Sequence, residues 1–255
     1  MQLRDELDQD KMLITAWSTS PSAEMAGVLA RCPFDTVTVD MQHGAHSEST
    51  AFASAKAVFA AGKPAILRIP VGRNDLASRA LDMGFEAVIA PMINSVADAE
   101  AFANAMKYPP VGERSWGPIQ ALQMHTSFTA ESYFRAANEK TVSLAMIETR
   151  EAFAALDGIL ATKGIDGIFV GPSDLSISWS NGAGVDPHNE DLQDVIARIA
   201  SRARDAGKFA AIFAVDPADV PRFGKMGYRM AALNTDPGII HAGAAIMLDK
   251  ARGQG

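Results

Sequence analysis

Cys32 is the sole cysteine, so the chain can form neither an intramolecular disulfide nor a thiolate metal cluster. Positive charge is also scarce. Against 30 Asp and Glu stand 23 Lys and Arg, a formal net charge of −7. Nucleic-acid phosphates demand a basic surface, so that balance argues against a nucleic-acid partner. It also means that any acid-binding site must carry its own local cation. No apolar run approaches the ~18–20 residues of a membrane span. The opening MQLRDELDQDKM lacks the basic start and apolar stretch of a signal peptide. The expectation is a cytoplasmic protein with no membrane partner. No GxGxxG follows the first apolar run and no GxxxxGKS/T occurs, which removes the usual support for dinucleotide and P-loop sites.

What the chain does have is rhythm. Short β-rich apolar runs alternate with longer stretches of helical composition. The predicted strands are 12–18, 36–41, 64–70, 87–92, 142–148, 167–171, 209–215 and 230–235. They are apolar on both faces, the pattern of buried parallel strands covered by helices. Helical segments include 47–62 and 190–207, the second ending in Gly207, a fitting stop. Eight such units in 255 residues predict one closed (β/α)8 TIM barrel over residues 1–255, with an open sheet as the alternative. Two segments break the rhythm. Residues 108–128 form a long connection after the fourth strand, and long loops usually carry function or an interface. Residues 237–252 read as an apolar helix, either the ordinary last helix of the barrel or one that packs on a neighbouring subunit.

Active sites of this fold sit where strands end. The second strand ends in Asp40-Met41-Gln42-His43-Gly44, a crowded polar corner or a simple turn with a solvent-facing His. Arg68 lies inside an apolar strand, where a bare guanidinium is costly. It must either pair with a structural carboxylate or clamp an anion at the barrel mouth. The fifth strand ends in Glu148 and the sixth in Gly171-Pro172-Ser173-Asp174. Two carboxylates on neighbouring tips would repel, and a divalent cation between them removes that penalty. Oxygen ligands suit Mg²⁺ or Mn²⁺. Asp174 also reads as a helix N-cap, and backbone N–H groups at a helix start bind carboxylates well. Trp17 ends the first strand and either floors the pocket or packs. His46, His125, His188 and His241 share no spacing and read as surface or loop residues. Lys11, Lys63, Lys140 and Lys208 precede strands, at the wrong end for imine chemistry, which favours a metal as electron sink.

The ordered set DxQHG, ILRIP, GERSWGP, IET and GPSDLS resembles the HpcH/HpaI aldolase family of class II, metal-dependent pyruvate aldolases, from the first strand to the last helix. The resemblance implies that Glu148 and Asp174 hold a divalent metal (Mg²⁺, Mn²⁺ or Co²⁺). It implies that Arg68 steadies the keto oxygen as an enolate forms and that His43 belongs to the general-base machinery. Asp82 would support that His from a neighbouring subunit, and amides around Ser173 and Asp174 would receive the substrate carboxylate. A hexamer that exchanges its last helix is implied as well. Departures are Gln42, where many members have Glu, and Met146, where they have Gln. The stretch 117–127 also lacks arginine, which weakens the case for an anionic acceptor.

The expected reaction is reversible aldol addition of a 2-keto acid, pyruvate or hydroxypyruvate, to an aldehyde. One rival is a lyase acting on acyl-CoA thioesters, but the sequence shows no nucleotide groove or basic patch. A phosphate-binding isomerase would need glycine-rich loops after strands seven and eight, where only one glycine stands. A non-catalytic barrel would not need the set Glu148, Asp174, Arg68 and His43.

Overall fold

The computed structural model describes residues 1–9 and 11–253. Eight parallel strands close into a barrel in sequence order. They are β1 (Leu13–Ser18), β2 (Thr36–Asp40), β3 (Ala65–Arg68), β4 (Ala87–Ala90), β5 (Val142–Ile147), β6 (Gly167–Val170), β7 (Phe209–Ala214) and β8 (Met230–Thr235). The barrel closes where β1 pairs with β8, Leu13 opposite Met230. The expected closed barrel is therefore found, and its strands match the predicted runs to within about two residues.

Apolarity on both faces has a direct cause: each strand belongs to two cores at once. Inward residues Leu13, Trp17, Ile66, Ile89, Leu144, Met146, Phe169 and Met230 fill the barrel. Outward residues such as Val37, Leu67, Val88, Ile147 and Ile212 pack against the helices. A short helix, Leu3–Leu7, closes the bottom by placing Leu3 and Leu7 into the inner cluster. Glu86 Oε2 fixes its start by accepting from Gln2 N and Leu3 N at 2.7 and 2.8 Å.

Residues 108–128 contain a short helix, Ile119–Met124. The helix Asp236–Arg252 departs from the barrel-helix reading. Only its first residue is buried, while Ile246 and Met247 are 58% and 73% exposed. It does not cover the sheet as an ordinary last helix would. Two histidines also differ from expectation. His46 and His125 are buried, His46 against Ser18 Oγ at 3.1 Å and His125 against Gly84 O at 3.3 Å. Isolated spacing did not predict burial because each bonds a residue distant in sequence. No helix among the described residues is long and apolar enough to cross a membrane.

Candidate active site

The strand tips enclose a cavity of about 360 Å³ at the C-terminal face. Trp17, Phe169, Phe213 and Met146 make its apolar walls; Thr19, Asp40, His43, Arg68, Ser173, Asp174 and Thr235 bring polar groups.

Arg68 has the structural carboxylate partner that one of its two readings called for, and it also lines the cavity. In the β2–β3 register Asp40 lies beside Arg68. Its Nε and Nη2 donate to Asp40 Oδ1 and Oδ2 at 2.8 and 2.6 Å, a two-point pair. The guanidinium also lies over the Trp17 ring, 4.9 Å from the centroid, and is 9% exposed, on the cavity wall. Burial alone would raise the Asp40 pKa. The Arg68 bond and charge, with the Gln42 and His43 N–H groups, outweigh burial and hold it below the ordinary value. Asp40 thus stays ionised, and it fixes the guanidinium while Nη1 keeps its donors free of protein partners among the described residues.

Glu148 is 2% exposed and has no ion-pair partner among the described residues. Its Oε1 accepts from Met92 N at 2.7 Å, and Met92 adopts the left-handed φ of 55° to offer that N–H. Burial pushes the carboxyl up to about 7; the Met92 bond and Arg68 pull it down, and the Asp174 charge adds to the rise. Its second oxygen lies close against Gly171, where a Cβ would sit 2.8 Å from Glu148 Oε2, and Glu148 is not itself among the residues lining the cavity. A buried carboxylate with no ion-pair partner among the described residues, and a second carboxylate near enough to raise its pKa, fit a hard divalent cation. The described residues hold no group of three or more His, Cys, Asp or Glu with metal-site geometry. Two protein ligands suit a Mg²⁺-like ion that keeps other oxygens in its shell.

Neither Ser173 nor Asp174 is the N-cap. The helix Pro172–Trp179 is capped at Gly171, which puts both residues inside its first turn. Pro172 has no N–H, and the first helical bond runs from Leu175 N to Gly171 O at 3.0 Å. The N–H groups of Ser173 and Asp174 therefore stand ahead of the hydrogen-bonded ladder, a ready anion site.

His43 reaches the cavity from the β2 loop, its N–H donating to Asp40 Oδ1 at 3.3 Å. Gln42 does not line the cavity, and its Oε1 is buried without a partner. Asp82 is not brought to its own pocket. It ends the helix Asn74–Asp82, which runs back to the bottom of the barrel, and pairs there with Arg114 Nη2 at 2.6 Å. No lysine lines the cavity. The reading of the sequence passed over Asp40 as the partner of Arg68, and it passed over Thr19, Phe213 and the buried Asp236. The adjacent run Asn234-Thr235-Asp236-Pro237 at a strand end was the available signal for Asp236.

A model of the HpcH/HpaI aldolase/citrate lyase family matches residues 13–242. A hydroxypyruvate/pyruvate aldolase of Rhizorhabdus wittichii is 35% identical over 81% of this chain and 80% of its own. A 2-keto-3-deoxy-L-rhamnonate aldolase of Klebsiella pneumoniae is 32% identical over 88% of this chain and 82% of its own. Among solved structures, a HpcH/HpaI aldolase/citrate lyase family protein of Burkholderia cenocepacia superposes with a TM-score of 0.87 at 26% identity, over 98% of this chain and 99% of that one.

Proposed function

The chain belongs to the HpcH/HpaI aldolase/citrate lyase family and is a carbon–carbon lyase, and on that premise we propose that its cavity joins a 2-keto acid, pyruvate or hydroxypyruvate, to an aldehyde with the help of a divalent cation. The observation that carries this reading is Glu148: a buried carboxylate without an ion-pair partner among the described residues, raised in pKa by burial and by the Asp174 charge. Glu148 and Asp174 would hold Mg²⁺, Mn²⁺ or Co²⁺, and the bound ion would supply Lewis acidity toward the keto oxygen.

The chain's own groups do the rest. The Ser173 and Asp174 N–H groups bind the substrate carboxylate. Arg68, held rigid by Asp40, offers its free N–H groups to the keto oxygen as negative charge builds there. Donors placed in advance lower the barrier because they need no reorganisation as the charge develops. A base at His43, the imidazole or a water linked to it, takes the C3 proton and returns one to the aldehyde oxygen. Trp17 and its aromatic neighbours exclude water from the enolate. Gln42 leaves the His43 corner less negative than a glutamate would.

The active species is proposed to be a cytoplasmic hexamer, with residues 1–255 acting as one domain in each subunit. The exposed apolar helix Asp236–Arg252 would be exchanged between subunits, and Asp82 would meet the partner subunit's His43 across the interface. The test is NMR of deuterium exchange at C3 of pyruvate and hydroxypyruvate, after chelation and again with each added metal. Exchange restored by metal is the expected result. Exchange indifferent to chelation, or absent with every metal, overturns the reading.

A further inference from the structure

Thr19 lies in the loop after β1 and lines the cavity beside Thr235. All its polar atoms are tied down. Its N–H donates to Asp236 Oδ1 at 3.0 Å and its hydroxyl to the same oxygen at 2.5 Å. Its carbonyl accepts from Ala45 N at 2.8 Å. Close packing locks the backbone as well, since a Cβ on Gly44 would lie 3.0 Å from Thr19 Cα. On either side, Ser18 bonds His46 and Ser20 N donates to Asp236 Oδ2 at 2.9 Å.

Asp236 is fully buried. Burial would raise its pKa, but the Thr19 and Ser20 hydrogen bonds outweigh it and keep the group below the ordinary carboxylate range. An ionised carboxylate only accepts, so the single hydroxyl proton of Thr19 is committed to it. What the hydroxyl has left for a ligand is lone pairs, with a negative charge behind them. A hydrogen-bond donor suits that position. A carboxylate or phosphate would be repelled there, and a methyl group would leave the lone pairs unanswered.

We propose that Thr19 is a specificity-determining residue that selects a hydroxyl-bearing reactant, through a hydroxyl that Asp236 holds as an acceptor only. The inference rests on the aldolase reading and deepens it by naming the chemistry of one reactant. The hydroxyl could belong to the donor, as in hydroxypyruvate, or to the acceptor, as in a 2-hydroxyaldehyde.

Three reactant pairs separate these sources: pyruvate with acetaldehyde, hydroxypyruvate with acetaldehyde, and pyruvate with glycolaldehyde. Each is measured with wild type, Thr19→Val and Thr19→Ser. The ratio of kcat/KM for the hydroxylated pair over the plain pair should fall about tenfold in Thr19→Val, roughly the worth of one neutral hydrogen bond. The arm that falls names the reactant. Thr19→Ser, which keeps the hydroxyl, should keep the ratio. A ratio unmoved in both arms of Thr19→Val, or lost equally in Thr19→Ser, overturns the proposal, because a merely structural role lowers all pairs together. Titration calorimetry of hydroxypyruvate against pyruvate, and of glycolaldehyde against acetaldehyde with pyruvate present, reads the same preference without turnover. If no pair turns over in wild type, the aldolase reading fails, and the calorimetric ratio still decides for or against Thr19.

Discussion

Glu148 concentrates the chemistry of a single residue. Its folded pKa of about 7 lies above the ordinary 4.5. Such a group stabilises the metal-free fold most below pH 4.5 and progressively less as pH rises through 7. Glu148→Gln removes the buried charge and keeps an oxygen for Met92 N. The metal-free variant should therefore be more stable than metal-free wild type at pH 8, by an amount on the order of 3 kcal/mol, with the gap closing toward pH 4.5. Equal melting temperatures at pH 8 would contradict the buried-charge account. The same variant should lose bound metal and turnover together, which metal analysis alongside the assay checks. Arg68→Ala should slow C3 proton exchange by about 10²–10³-fold, the usual scale for a lost oxyanion donor. The cation was legible in the sequence, because a guanidinium in an apolar strand demands a partner. Its carboxylate was not, since Asp40 becomes that partner only once the β2–β3 register is known.

Among the elements, strands were the easiest to read, because being wetted by two cores leaves them no polar face. Helix starts were harder: Asp174 has the chemistry of a cap, yet the helix begins three residues earlier, at Pro172 after the Gly171 cap, which makes Asp174 a first-turn residue. Contacts across the barrel seam were invisible. Thr19 and Asp236 are 217 residues apart and meet only because β1 and β8 close the sheet. The N-terminal helix Leu3–Leu7 also belongs at this scale, as a lid on the inner core. Leu3→Ala should destabilise the protein by about 2–5 kcal/mol, the cost of an apolar cavity, in denaturant melts. A loss under 1 kcal/mol would mean the bottom of the barrel relaxes around the gap.

At the level of the whole molecule, the last helix sets the expectation. Ile240, Ile246, Met247 and Leu248 each stand about half exposed or more, a run of apolar surface that an isolated subunit would leave in water. Ile246→Glu with Met247→Glu should shift the mass by light scattering toward single subunits. Because Asp82 is proposed to reach the partner subunit's His43, turnover should fall with the mass. A double variant that stays assembled would show that this helix carries no interface.

The filling of the barrel by Leu13, Trp17, Ile66, Leu144 and Phe169 has one more consequence. A well stopped at its base has a single mouth, so both reactants and the product share one doorway. Whatever settles at the floor must arrive first and leave last. If the keto acid of the proposed reaction is the reactant at the floor, steady-state kinetics should follow a compulsory order, and the released keto acid should compete with the cleavage substrate for the same empty enzyme.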